Sequence, residues 1–322
     1  MYRIIMVPTD GSGFDREAIR VALRIAERSD AKLKLVRVLS TGSLFSLAAA
    51  AEGTAIATEV ARSERDKALS DLYALAAECR GISDADITVD LHDGPVPEVL
   101  DTYAKRNDVS LIVMSTHGRS GFARLSLGSV TDYLIRQTSI PVLVVKPSGS
   151  YLNPQVGDGF RHIVVPLDGS TLAEQILPRL VALARLENAD TTLLHVLTAP
   201  SSPAEPSDRD VQWCDKDISL AEKYLSRIAE RLTHNGLRVR TDIVVSDNVA
   251  GAISDYVDRE RADIIAIATH GRGGVTRMLR GSVADALMHS AKMSMLVFKP
   301  ENAADKGESL SAYWAAADLV PA

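Results

Sequence analysis

Cysteine and aromatic residues are scarce in this chain, and both shortages exclude something. Two cysteines occur in 322 residues, Cys79 and Cys214. They stand far apart without CxxC spacing, which argues against a disulfide framework and against a zinc site. Both read as packing residues. Aromatics make up 5% of the chain, too few for a base-stacking platform along a single nucleic-acid strand. Neither sign of charge dominates: 36 Lys and Arg face 42 Asp and Glu, for a formal net charge of −6, and neither half is the basic body that a DNA or RNA partner needs. No run approaches the roughly 18 consecutive apolar residues of a membrane helix. The softest, Leu44 to Ala51, is short, alanine-rich and followed by Glu52. The opening residues Met1 to Val7 show no basic leader followed by an apolar core and a cleavage site, so the expected location is cytoplasmic. Neither GxxxxGK[ST] nor a GxGxxG after the first strand occurs, so neither a P-loop NTPase nor an ordinary dinucleotide fold is supported.

What is present is a repeat. At 46% apolar residues, the length implies roughly two domains, each able to bury its own core. Arg3-Ile4-Ile5-Met6-Val7-Pro8-Thr9-Asp10-Gly11-Ser12 returns as His162-Ile163-Val164-Val165-Pro166-Leu167-Asp168-Gly169-Ser170. Leu33 to Leu39 returns as Thr191 to Leu197, and the block from Ser110 to Pro147 returns from Asp263 to Pro300. A repeat this long is a domain rather than a solenoid unit.

Within each copy, short runs rich in Val and Ile alternate with segments of helical period. Ile4 to Val7, Leu33 to Val38, Ile87 to Leu91, Leu111 to Met114 and Val142 to Val145 read as strands. Ile163 to Val165, Thr192 to Val196, Val239 to Val244, Ile264 to Ile267 and Ser294 to Phe298 are their counterparts. Ala18, Ile19, Ala22, Leu23 and Ala26 mark a helix face, with Asp10-Gly11-Ser12 as turn and cap. Continuous apolar strands with helical crossovers imply an α/β fold: two tandem, doubly wound, five-stranded parallel sheets covered on both faces. Pro178 should kink or open the first helix of the second copy. The Ala-rich stretches Leu69 to Ala77 and Leu220 to Leu232 read as sheet-covering helices. Residues 148–159, dense in Pro, Gly and Ser, form the expected linker between domains at 1–147 and 160–300. Ser40 to about Thr58 and Thr198 to about Lys216 read as irregular, and residues 301–322 as a tail.

The chemistry gathers after the fourth strand of each copy. Met114-Ser115-Thr116-His117-Gly118-Arg119 leads to Gly128-Ser129-Val130, and Ile267-Ala268-Thr269-His270-Gly271-Arg272 leads to Gly281-Ser282-Val283. Glycine lets backbone N–H groups approach an anion, and a helix N-terminus supplies free donors and a favourable dipole. A Gly-rich turn after a parallel strand also serves packing alone, and Asp10 alone also reads as a helix cap. Arg119, Arg124, Arg272 and Arg277 stand at matched positions, as complements to a triphosphate or as solvated surface. His117 and His270 have no nucleophile and orienting partner in the sequence, so they read as loop-lining rather than catalytic.

The pattern G-x2-G-x9-G-[ST] between a strand and a helix, with P-x-D at the end of the first strand, resembles the universal stress protein family, here in tandem over about residues 1 to 147 and 160 to 300. The resemblance implies a five-stranded Rossmann-like sheet and, in the nucleotide-binding branch, ATP held in these loops, with Mg²⁺. It implies that Asp10 and Asp168 read adenine and that Val38 and Val196 contact it through backbone groups. Gly118, Gly128, Ser129 and Val130 would hold phosphates in the first copy, and Gly271, Gly281, Ser282 and Val283 in the second. Pro8, Thr9, Met114, Ser115, His117 and Arg119, with Pro166, Leu167, Ile267, Ala268, His270 and Arg272, complete the two expected sites. Ser115 and Ala268 replace the motif's first glycine, and Leu167 stands where the first copy has Thr9. The expected function is a nucleotide-dependent stress-response regulator without catalysis; a slow Mg-dependent ATPase and a nucleotide-free scaffold are the alternatives. Expected partners are an adenine nucleotide and a protein, with no nucleic acid and no membrane. The family's dimers imply a pseudo-twofold pairing of the two copies through their apolar last strands, and a homodimer.

Overall fold

Runs of Val, Ile and Leu become strands here because parallel strands covered on both faces have no solvent side to mark with polar residues. The computed structural model describes residues 2–13, 15–40, 54–115, 127–146, 159–198, 208–269, 282–290 and 293–300, of which 54–57, 208–214 and 282 by backbone alone. Two units, Met1–Gly157 and Asp158–Ala322, each contribute five strands.

The first unit runs β1 (Ile4–Pro8), α1 (Arg16–Ser29), β2 (Lys32–Leu39), α2 (Thr54–Arg80), β3 (Ile87–Asp93), α3 (Val96–Arg106), β4 (Leu111–Ser115), α4 (Ser129–Gln137) and β5 (Val142–Val145). Its strands are ordered β3-β2-β1-β4-β5, all parallel, with Ile5 registered on Leu33 and Leu111, and Ile112 on Val142. The second unit repeats this as β6 (His162–Pro166), α5 (Leu177–Glu187), β7 (Asp190–Leu197), α6 (Asp208–His234), β8 (Arg238–Val245), α7 (Val249–Glu260), β9 (Ile264–Ala268), α8 (Ser282–Ser290) and β10 (Ser294–Phe298). Its order is β10-β9-β6-β7-β8, again parallel. Among the described residues no helix is long and apolar enough to cross a membrane.

The helices bury the rows that their spacing marks. Ala18, Ile19, Ala22, Leu23 and Ala26 of α1 are buried, as are Ala68, Leu72, Ala76 and Cys79 of α2 and Ala221, Leu225, Ile228 and Leu232 of α6. Cys79 is therefore a packing residue, while the Cys214 side chain lies outside the described ones. Helix ends repeat between units at the level of backbone dihedrals: Asp30 and Asn188 take φ of 54° and 52° after α1 and α5, and Asp108 and Arg261 take 50° and 51° after α3 and α7.

Three local expectations are corrected. The Asp10-Gly11-Ser12 segment does not cap α1, which starts at Arg16 with Asp15 at the cap position and no side-chain cap bond. Pro178 does not sit in a helix interior: α5 starts at Leu177 with Pro178 in its first turn, preceded by a 3-10 turn over Ala173–Ile176. A proline there has no N–H for the Glu174 carbonyl and its ring would clash with it, so the preceding turn tightens into 3-10 form. The irregular stretches end earlier than expected, since α2 includes residues 54–58 and α6 includes 208–216. Both helices begin without an apolar row that a sequence pattern could register.

Candidate functional site

In both units the sheet order reverses beside the first strand. β1 lies between β2 and β4, and β6 between β7 and β9, so the connections leave in opposite directions and open a crevice at the carboxyl ends of the strands. Two segments border it in each unit, the turn after the first strand and the loop after the fourth.

The first turn of the first unit is held by polar side chains. Pro8 is half-buried, and Thr9 is buried with its N–H on the Val36 carbonyl at 2.9 Å. The Thr9 hydroxyl donates to the Asp15 carboxylate and accepts from the Gly11 N–H at 3.1 Å. Asp10, half-buried, accepts the Ser12 N–H at 2.8 Å, an Asx turn. Gly11 has φ of +75°, and a Cβ there would lie 3.0 Å from Arg37 Nη1. Arg37 is 7% exposed and faces Asp71 at 3.8 Å. Burial pushes the Asp15 carboxyl above its ordinary value, against the opposing pull of the Thr9 hydrogen bond. The Ser12 hydroxyl is shielded from solvent and has no hydrogen-bond partner among the described residues.

The equivalent turn of the second unit is built differently. Leu167, 2% exposed, takes the place of Thr9 and keeps the backbone bond, its N–H on the Leu194 carbonyl at 2.9 Å. Pro166 is half-buried and Asp168 exposed; Asp168 accepts the Ser170 N–H at 2.9 Å. The Ser170 hydroxyl accepts the Ala173 N–H at 3.1 Å. Where the first unit has Arg37, His195 donates through Nδ1 to the Leu167 carbonyl at 2.7 Å and stands edge-on to the Tyr224 ring. Tyr224 occupies the α6 position that matches Asp71 when the buried rows of the two helices are aligned. Its hydroxyl lies beside Glu174 without hydrogen-bond geometry. Burial and then the Glu174 and Asp168 charges hold that hydroxyl protonated well above its ordinary range.

The second strand supplies a backbone edge. The β1–β2 ladder ends at Pro8 and Val36, and the Val36 carbonyl points toward β1. By the two-residue period of a strand, the Val38 peptide groups point the same way, past the end of β1 and into the crevice. Val196 repeats this beyond the Pro166–Leu194 pair. Both valines are half-buried.

At the second border, Met114 and Ile267 are buried at the ends of β4 and β9, while Ser115 and Ala268 are half-buried. The Ser115 carbonyl accepts the Thr131 hydroxyl at 3.2 Å. α4 starts at Ser129 with Gly128 as a cap residue of extended backbone and no side-chain cap bond, so no cap side chain satisfies the first-turn N–H groups. Ser129 is exposed, and Gly128 and Val130 are half-buried. In the second unit α8 starts at Ser282, Val283 is half-buried, and Ala284 stands where the first unit has Thr131. His117, Gly118, Arg119, Arg124, His270, Gly271, Arg272, Arg277 and Gly281 lie outside the described residues.

The structure thus brings Asp10, the Val38 backbone and the Gly128-Ser129 helix start to one crevice, and Asp168, Val196 and Ser282 to the other. The side chains of Leu167, Met114 and Ile267 are buried, and that of Thr9 is buried within the turn itself. Sequence reading missed Ser12, Asp15, Arg37 and Asp71, and Glu174, His195 and Tyr224 in the other copy. One signal was available: the copies differ at Thr9/Leu167 and Asp15/Ala173 together, a polar pair exchanged for an apolar one.

Comparison with known proteins agrees with this architecture. The model of the universal stress protein family matches residues 1–146 and 159–299. A universal stress protein of Methanocaldococcus jannaschii is 34% identical over 148 residues, 45% of this chain and 83% of that protein. One from Mycolicibacterium smegmatis is 25% identical over 303 residues, 92% of this chain and 97% of its own length. A solved universal stress protein from Archaeoglobus fulgidus shares the fold at a TM-score of 0.64 and 18% identity, over 92% of this chain and 98% of that one. Two matched units, with the P-x-D turn and the glycine-serine helix start in each, make this chain a tandem member of the universal stress protein family.

Proposed function

We propose that each unit binds an adenine nucleotide across its crevice, with the base at the Asp10 or Asp168 turn and the phosphates at the helix starting at Ser129 or Ser282. The observation that carries this reading is the pairing, at one switch point, of an unladdered Val38 backbone edge with an uncapped helix start at Gly128. The first offers both a donor and an acceptor to a purine edge, and the second offers N–H donors and a dipole to an anion. The residues fit such a ligand: a carboxylate accepts from the exocyclic amine, and the Ser12 hydroxyl, shielded and unpartnered among the described residues, lies at the same turn. Mg²⁺ would come with the phosphates; among the described residues no group of three His, Cys, Asp or Glu could hold a metal.

The nucleotide acts as a regulator of conformation or partner surface, which requires it to bind two states unequally, and the chain does not turn it over. Family membership supports the stress-related role. The apolar last strands support pairing of the copies, or of two chains, through them. The test is to denature the purified protein and identify what it releases. Adenine nucleotide in the extract, with no phosphate produced on prolonged incubation with Mg-ATP, is the expected result. An empty extract together with no thermal shift on adding Mg-ATP would remove the binding reading, and steady phosphate release lost in Gly128→Val would replace regulator by ATPase.

A further inference from the structure

The two crevices share a fold but not their supports. In the first unit three side-chain tethers brace the segments that border it: Thr9 to Asp15 within the first turn, Arg37 against Gly11 and Asp71 from beneath it, and the Thr131 hydroxyl on the Ser115 carbonyl at the second loop. The second unit exchanges each of them: Leu167 and Ala173 for the first, His195 and Tyr224 for the second, Ala284 for the third. It keeps the His195 bond to the Leu167 carbonyl and the Ser170 cap, yet a Cβ at Gly169 would meet nothing within 4 Å, where at Gly11 it would meet the guanidinium. Charge changes in the same direction. Arg16, at the start of α1, and Arg37, on β2, are replaced by Glu174 and His195, and Glu174 and Asp168 each lie near enough to Tyr224 to raise its hydroxyl.

We infer that the two sites are unequal by construction, that the first unit is the tight site for an anionic adenine nucleotide, and that Arg37, with Thr131, is a positioning residue that makes it so. This rests on the nucleotide reading above. A turn already fixed by folding loses little freedom when the ligand arrives, so the binding free energy is not spent on ordering it. The buried Arg37 guanidinium against that turn favours a polyanion, and the buried Glu174 carboxylate, which stands where the first unit has the exposed Arg16, opposes one in the second unit. Neither residue needs to touch the nucleotide.

The test is calorimetric titration of the full chain with ATP, in the parent and in Asp10→Ala and Asp168→Ala to assign the sites. The expected result is two classes separated by roughly tenfold or more, which corresponds to about 1.4 kcal/mol, the tighter one lost in Asp10→Ala. Exchanging the first unit's supports for the second unit's own residues, Arg37→His with Asp71→Tyr, should bring the tight class down toward the weak one and leave the weak class unmoved. Thr131→Ala should do the same in part, without touching the first turn. Amide exchange of residues 8–16 and 166–174 in the ligand-free protein gives a readout independent of binding: the first segment should exchange more slowly, and the support exchange should abolish the difference. Two equal classes, or a tight class lost in Asp168→Ala, would overturn the inference and leave nucleotide binding standing. No heat at either site would overturn the nucleotide reading and this inference with it.

Discussion

Asp15 and His162 are two described residues whose burial couples stability to pH, and they act in opposite directions. Burial raises the Asp15 carboxyl from its ordinary value of 3.8, so the folded state holds its proton more tightly than the unfolded chain does, and stability falls as pH rises through the raised value. Asp15→Asn should therefore raise the melting temperature at neutral pH and flatten its slope between there and the ordinary aspartate value. A variant melting at the parent temperature at pH 7 would contradict this. His162 is lowered by burial and then by Arg240, with Glu260 and Asp263 opposing; its ring nitrogen meets the Thr192 hydroxyl at 2.8 Å and Arg240 at 3.3 Å. The unfolded chain then binds the proton first, so stability is full above the ordinary histidine value of 6.5 and is lost as pH drops below it. His162→Ile, which copies Ile4 of the other unit, should remove that loss, read as thermal melts from pH 8 down to 5. Neither effect was visible in the sequence. The burial of Asp15 against Thr9 is a contact that spacing alone does not specify.

Helices and strands were legible because their apolar rows are long and regular, whereas helix ends depend on single backbone bonds. α1 and α5 show the difference. Their buried faces follow from the spacing of Ala, Ile and Leu, but Pro178 was assigned to a helix interior when it belongs to a first turn, because nothing in the sequence says where the i to i−4 ladder begins. The cap of α7 is better defined: the Asn248 side chain accepts the Gly251 N–H at 3.0 Å. Asn248→Ala should cost about 1 kcal/mol in chemical denaturation, and an unchanged midpoint would contradict the assignment. At the other end of α7, Arg261 holds a φ of 51° that an unbranched glycine tolerates without strain. Arg261→Gly should accordingly stabilise the second unit by roughly 0.5–1 kcal/mol, and a loss of stability in the same assay would show that the αL turn is not the controlling feature.

At the scale of the whole molecule the repeat carried the reading furthest. Matched blocks divided the chain into two α/β domains, and the P-x-D turn and Gly-Ser helix start lie at the carboxyl ends of the strands, beside the switch point of the sheet order in each unit. What the repeat concealed is the difference between its copies. The supports of the first crevice, Thr9 with Asp15 and Arg37 with Asp71, come from positions up to 34 residues apart and become partners only when α2 packs on β2. The composition is compatible with the proposed ligand: backbone amides at a helix start suffice for the phosphates of one nucleotide and call for no excess of basic residues. Equilibrium dialysis of the full chain against labelled ATP measures the central claim most directly. The account predicts two nucleotides per chain at saturation, the tighter absent in Asp10→Ala and the weaker absent in Asp168→Ala; no bound label at any nucleotide concentration would contradict it.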